Sequence, residues 1–327
     1  MGPADDEILV RAVGLTKTYP ARADLPEFQA VDGIDFELRR GEAVGFLGPN
    51  GAGKSTTMRM IAATSPRSAG TLRVLGLDPD THGSAIRARL GVVPQDDALD
   101  RELTVRENLY IYGRYFRLKR STIRSRSGEL LDFAQLRDKA DSPVETLSGG
   151  MRRRLTIARS LINTPDMVLL DEPTTGLDPQ ARHVLWDRLY RLKQEGVTLL
   201  LTTHYMDEAE QLCDRLMVID HGRIVAQGSP RELIGTHATR EVLELRFPLE
   251  VAEAAGAKLR HSALGGDGSD NGARVEPLPD RVLVYAADGE AALAAVHGMG
   301  LVPLTALVRR ATLEDVFLKL TGRSLID

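Results

Sequence analysis

Gly48-Pro49-Asn50-Gly51-Ala52-Gly53-Lys54-Ser55 is the stretch from which the rest of the chain is read. Its spacing, two glycines five apart and then Lys-Ser, lies between the apolar run Ala43 to Leu47 and a helical pattern, the context in which such a loop binds phosphate. Glycines let backbone N–H groups turn inward around the β- and γ-phosphates of a nucleotide. The following helix N-terminus adds positive potential, and Lys54 adds a point charge. Ser55 is placed to ligate Mg2+, and Asn50, Ala52 and Thr56 belong to the same nucleotide-binding stretch, so a nucleotide with Mg2+ is the expected ligand.

Outward from this loop, short apolar runs alternate with helical patterns from Ile8 to about Ile234, the rhythm of an α/β unit with a mostly parallel sheet. Candidate buried strands are Ala43 to Leu47, Leu90 to Val93, Met167 to Asp171, Thr198 to Thr202 and Arg215 to Ile219. Thr104 with Glu107 predicts a capping box opening a helix that runs through Tyr110 to Phe116. With Ser121 to Asp138 it suggests an all-helical insert at about residues 96–165. Asp178-Pro179 reads as an N-cap and first helical residue, opening a helix that carries Trp186 and Leu189 inward.

The rhythm changes after residue 236, and residues 237–327 read as a small C-terminal α+β domain behind the nucleotide-binding domain of residues 1–236. Leu243, Leu245 and Phe247 alternate with Glu244 and Arg246 as in a half-buried strand. Further strands are expected near Arg281 to Ala286 and Leu301 to Val308, with a helix around Glu290 to His297. Gly265 to Gly272 is loop chemistry. A last helix, started by Thr312 and boxed by Asp315, should bury Leu313, Val316, Phe317 and Leu320.

Of 327 residues, 42 are basic and 46 acidic, and no basic footprint points to a nucleic-acid partner. The single cysteine, Cys213, cannot form an internal disulfide, which fits a reducing compartment. The first residues are acidic where an export signal needs a basic start. No apolar run approaches the roughly 20 residues that span a bilayer, so any membrane role has to come through a partner.

Met167-Val168-Leu169-Leu170-Asp171-Glu172 is an apolar strand ending in two acids. A strand tip in a parallel sheet delivers such side chains to the ligand edge. Asp171 would hold Mg2+, and Glu172 would accept a proton from the attacking water. In Leu147-Ser148-Gly149-Gly150-Met151, Ser148 can cap a helix whose glycines admit a phosphate. The basic run Arg152, Arg153 and Arg154 reads as a solvated helix face.

With that third motif, the sequence from about Ile8 to Ile234 resembles the ABC ATPase family, whose signature reads Leu-Ser-Gly-Gly-Gln. Four of its five residues match; Met151 stands in place of Gln. The resemblance implies a P-loop NTPase fold in which Gln95 senses Mg2+ and water, Asp178 links the sites of two subunits and His204 contacts the γ-phosphate. Tyr19 falls where the family stacks an aromatic on adenine, although the loop from Pro20 to Gln29 is longer than usual. The family works as a nucleotide-sandwich dimer, with Lys54, Glu172 and His204 of one copy facing Ser148 of the other.

Gly91 to Asp100, Leu103 to Leu109 and Thr312 to Leu318 look like the ATPase subunits of type-two bacterial exporters. That branch implies a separate membrane permease, a place at the cytoplasmic face of the membrane and outward transport of a drug, lipid or glycolipid-like cargo. The rival expectations are an importer ATPase and a non-transport ABC protein.

Overall fold

The computed structural model describes residues 7–21, 26–265 and 274–322. They form two compact units, Met1–Gln227 and Gly228–Asp327. Four residues of the Pro20 to Gln29 loop, and all but the first of the Gly265 to Gly272 stretch, lie outside the described residues.

In the first unit the sheet order is β5-β6-β7-β3-β8-β9, built from β3 (Ala43–Leu47), β5 (Leu90–Val93), β6 (Met167–Asp171), β7 (Thr198–Thr203), β8 (Arg215–Asp220) and β9 (Arg223–Gly228). From β5 to β8 every pairing is parallel. Their near-continuous burial explains why these strands lack alternation: both faces are covered, one of them largely by a second sheet, so each position needs an apolar or hydrogen-bonded side chain. The turn from β8 to β9 uses His221 at φ 45° and Gly222 at φ 77°, both left-handed, as a two-residue turn requires.

A second, antiparallel sheet of order β2-β1-β4 comprises β1 (Ile8–Tyr19), β2 (Phe28–Arg39) and β4 (Ala69–Val74). The alternating burial of β1 and β2 puts Val10, Leu15, Phe36 and Leu38 into one core with Phe46, Ile61 and Met217. The helices of this unit are α1 (Lys54–Ile61), α2 (Pro79–Arg87), α3 (Val105–Tyr115), α4 (Arg120–Ala134), α5 (Gly149–Ser160), α6 (Pro179–Gln194) and α7 (Met206–Leu212). Of these, α3 to α5 form the helical insert, with short 3-10 turns at Arg137–Lys139 and Val144–Thr146. The Thr104 capping box on α3 is made in both directions. Along α6 Leu189 is buried, whereas Trp186 is only partly covered and donates its Nε1–H to Glu208 at 3.4 Å.

The second unit contains α8 (Pro230–His237), β10 (Glu241–Arg246), α9 (Leu249–Arg260), β11 (Arg274–Pro277), β12 (Val282–Ala286), α10 (Gly289–Gly298), β13 (Thr305–Arg310) and α11 (Leu313–Thr321). Its four strands pair antiparallel in the order β11-β12-β10-β13. The units divide at Gln227/Gly228, ahead of the expected boundary at 236, because α8 packs on α11.

Three expectations need correction. Strand β10 is not half-buried: Leu243 and Leu245 enter one apolar cluster and Val242 another, so both faces are covered. The strand expected from Leu301 starts at Thr305, since Pro303 has no N–H to give to a ladder. Along α11 the buried apolar residues are Leu313, Val316, Phe317 and Leu318, with Asp315 buried beside them and Leu320 only partly covered.

Candidate functional site

The parallel strands deliver their C-terminal ends to one edge, and there most of the expected residues meet. After β3 the chain turns through Gly51 (φ 80°) and Gly53 (φ 107°) into α1, whose N-terminus has no side-chain cap. A Cβ on Gly48 would lie 2.2 Å from the Ile219 carbonyl oxygen, and one on Gly53 2.3 Å from that of Ala30. A side chain at either position would push the loop off β8 or β2. Lys54, 4% exposed, folds back and donates to the Gly48 and Pro49 carbonyls at 2.7 and 3.0 Å. Burial pushes its ammonium pKa down, and the nearby carboxylates of Glu172 and Asp171 act in the opposite sense.

Ser55 donates its hydroxyl to Asp171 Oδ1 at 2.9 Å, and Thr202 donates to the same oxygen at 2.5 Å. Beside them Glu172 is 7% exposed, with its backbone at φ 46°, a left-handed conformation that costs a non-glycine residue roughly 1–3 kcal/mol. The Glu172 amide donates to the Thr202 carbonyl and hydroxyl at 3.1 and 3.0 Å, which pins this turn. Its Oε2 accepts from Gln95 Nε2 at 3.2 Å and Thr175 Oγ1 at 3.1 Å. Its Oε1 lies 3.3 Å from His204 Nδ1. Gln95, Glu172 and His204 thus converge from three strand ends.

Ser148, Gly149, Gly150 and Asp178 are not part of this cluster. Together with Gly176 and Arg154 they line a separate concavity of about 360 Å3. Ser148 caps α5 by accepting from the Met151 amide at 3.2 Å, and Asp178 caps α6 by accepting from the Ala181 amide at 2.9 Å. The side chain at 151 is not needed for the first of these caps. Tyr19, the last residue of β1, is half-buried, with Lys17 Nζ 5.1 Å from its ring centre.

The basic run corrects an expectation. Arg153 is 6% exposed and donates to the carbonyls of Pro94, Gln95, Asp171, Glu172 and Pro173. Arg152 pairs with Asp97 at 3.0 Å and Arg154 donates to Gln135 at 2.8 Å. Arg153 is buried because it shares a helical face with Ile157 and Ser160, also buried; that spacing was readable, but a triplet of arginines hides it. Thr202 and Thr175 were also missed, lying in an apolar strand and a turn without any spacing of their own. Glu208 on α7 is fully buried, and burial pushes its carboxyl pKa up, with the Trp186 Nε1–H acting in the opposite sense.

The chain matches two family models: ABC transporter over residues 31–175, and nodulation factor export protein NodI, C-terminal domain, over residues 259–322. It is 50% identical to a Nod factor export ATP-binding protein I of Ralstonia nicotianae over 318 residues, 96% of this chain and 94% of that protein. It is 43% identical to the protein of that name from Sinorhizobium fredii over 98% of this chain and 88% of the other. Among solved structures, the dimeric post-hydrolysis ATP-binding cassette MJ0796 bound to ADP and Pi superposes with a TM-score of 0.62 at 27% identity, covering 67% of this chain and 98% of that one. The cbiO1 subunit of an ABC transporter complex of Clostridium perfringens gives 0.64 at 27% identity, over 77% of this chain and 96% of the other.

Proposed function

From the premise that the chain belongs to the ABC transporter ATP-binding family and is the ATP-hydrolysing subunit of an exporter, we propose that Glu172 is the general base of ATP hydrolysis. The observation that carries this reading is the convergence of Gln95, Thr175 and His204 on the Glu172 carboxylate at 3.1–3.3 Å. A carboxylate held through Oε2 by two hydrogen bonds, with Oε1 beside the His204 ring at the strand end, is placed to take a proton from water, while Lys54 and the uncapped start of α1 hold the phosphates. His204 contacts the γ-phosphate, and Tyr19 stacks on the adenine.

The Ser55 hydroxyl and the Asp171 carboxylate, 2.9 Å apart, with the Gln95 amide, are hard oxygen donors of the kind Mg2+ takes. These residues would hold the ion, which when bound neutralises charge on the transferring phosphoryl group. In the same reading Ser148 and Asp178 complete the site of a second copy, a capped helix start with two glycines facing the partner's phosphates.

No helix among the described residues is long and apolar enough to cross a membrane. We infer that the permease is a separate chain and that it docks a short cytosolic helix into the groove of about 810 Å3 between α2, β5 and α3, lined by Arg87, Leu90, Val92, Tyr112 and Tyr115. On this reading the subunit works at the cytoplasmic face of the membrane. The relatives' name specifies Nod factor export, which supports Nod factor or another glycolipid-like molecule as cargo. The C-terminal unit serves as an accessory packing or dimer-contact module.

Glu172→Gln tests the core of this reading. Steady-state turnover of the purified variant should fall by roughly 10²- to 10⁴-fold while ATP binding is retained. Near-normal turnover would remove Glu172 from the role.

A further inference from the structure

We propose that Arg153 is a positioning residue that locks the catalytic edge to the helix whose start serves the second nucleotide site. Its guanidinium has five N–H donors in a rigid fork, and each meets a different carbonyl oxygen. Nε donates to Pro173 at 2.7 Å. Nη1 donates to Pro94 and, at 3.1 Å, to Gln95, and Nη2 donates to Asp171 and Glu172 at 3.0 and 3.1 Å. The acceptors fall in two groups. Pro94 and Gln95 follow β5 and carry the amide that meets Glu172; Asp171 to Pro173 end β6 and carry the ion-holding and proton-accepting carboxylates.

No carboxylate pairs directly with this cation among the described residues; Glu208, Asp171, Asp97 and Asp96 act on it through space. An interior guanidinium bonded only to main chain is an expensive device for holding a helix in place. An apolar residue would pack α5 as well. The β5–β6 ladder ends at Val93 and Leu170, and what the fork adds is a fixed distance between the segments beyond that pair, which no other side chain bridges main chain to main chain among these contacts. That distance sets the 3.2 Å contact from Gln95 to Glu172 and restrains a Glu172 backbone already in a left-handed conformation.

Arg153 lies five residues after Ser148 on α5. A shift of Ser148 on closing over a partner's nucleotide therefore moves the fork, and with it Glu172 and Gln95 of its own site. Arg153 ties hydrolysis at one site to occupancy of the other.

The inference rests on Glu172 being the general base, and a double-mutant cycle separates the two ideas. In the full-length protein, Arg153→Met should lower kcat about 10- to 100-fold, the loss expected when a catalytic group is misplaced by about an ångström, with KM for ATP within about twofold. In a Glu172→Gln background the same change should lower the residual rate less than about twofold, because there is no base left to misplace. Arg153→Lys keeps the charge and stem but cannot span both strand ends, so it should lose nearly as much as Arg153→Met; being less disruptive, it serves where the latter folds poorly.

Equal fold-losses in the two backgrounds would overturn the positioning role while leaving Glu172 as base. A rise in KM matching the loss in kcat/KM, or full rescue by Lys, would also overturn it. Full activity of Glu172→Gln alone would sink both ideas.

Discussion

Glu172 and Asp315 are both buried carboxylates, one in each unit, and each accepts several hydrogen bonds. Around Asp315 every contact belongs to a closed set. Arg309 donates to both its oxygens at 2.7 and 3.0 Å, Tyr285 donates its hydroxyl at 3.0 Å, and the Thr312 amide and hydroxyl complete the capping box of α11. The polar groups around Asp315 are thus spent on one another, and Asp315 is 1% exposed. Around Glu172 the partners are an amide, a hydroxyl and an imidazole, with no cation bonded to it, and its backbone is strained. A carboxylate that staples is saturated by a cation and relaxed. One that performs chemistry is held by single amide and hydroxyl hydrogen bonds that can give it up, and its restraint comes from main-chain contacts such as those to Thr202 and Arg153.

If that contrast is right, substitutions in the two regions should separate stability from activity. The largest stability effect is expected for Arg309→Met, which leaves Asp315 buried without its cation. It should destabilise the C-terminal unit by about 3–5 kcal/mol, read as faster hydrogen exchange of the β12 amides, with ATP affinity unchanged. Matching losses of exchange protection and ATP affinity would break the comparison.

Lys54→Ala should do the reverse. Losing a charge-assisted contact worth roughly 1.5–3 kcal/mol should weaken ATP binding about 10- to 100-fold in a titration, with the unfolding free energy of the nucleotide-free protein changed by less than about 1 kcal/mol.

The smallest effect concerns acid. Burial alone would raise the Asp315 carboxyl pKa; the hydrogen bonds from Arg309 and the Thr312 amide outweigh it and hold the pKa below its ordinary value. Such a group contributes stability that is complete above its unfolded pKa and is lost as pH falls through the folded one. Exchange protection in β12 should therefore decline below the ordinary carboxylate range, and Asp315→Asn should flatten that decline. An unchanged acid limb in the variant would assign it to other groups.

Sequence reading reached the active edge because phosphate binding demands its residues contiguously, so the stretch from Gly48 to Ser55 carries the motif whole even though its glycines also answer to Ile219 and Ala30. The buried parallel strands were legible as apolar runs for a similar reason, since full burial acts on every residue of the strand. What was not legible depended on partners without a sequence signal. Arg153 is explained by backbone carbonyls at 94–95 and 171–173, and any residue has a carbonyl. Val242 shares a strand face with Glu244 and Arg246, and nothing in the local pattern signals that Ile234 of α8 and Leu318 of α11 cover it. Asp315 was readable as a helix box but not as the centre of a network, because Arg309 and Tyr285 reach it from other strands. Gln95 and His204 were reached through family resemblance, not through spacing, and their approach to Glu172 emerged only from the structure.

Strand β3, which ends in the phosphate-binding loop, has β7 and β8 for neighbours, and the Ala43 amide donates to Asp214, 171 residues further along. On a ribosome adding about 5–20 residues per second, that separation amounts to on the order of ten to thirty seconds during which the loop is already made but has no sheet to stand on. Nucleotide cannot assist the early steps of folding, because the edge that binds it is among the last parts to be assembled. Long-range closure of this kind also slows refolding, since the loop entropy is lost before the strand pairing repays it. The nascent chain must therefore keep Ala43 to Leu47, an exposed apolar strand in waiting, from pairing with anything else until the residues near 214 emerge.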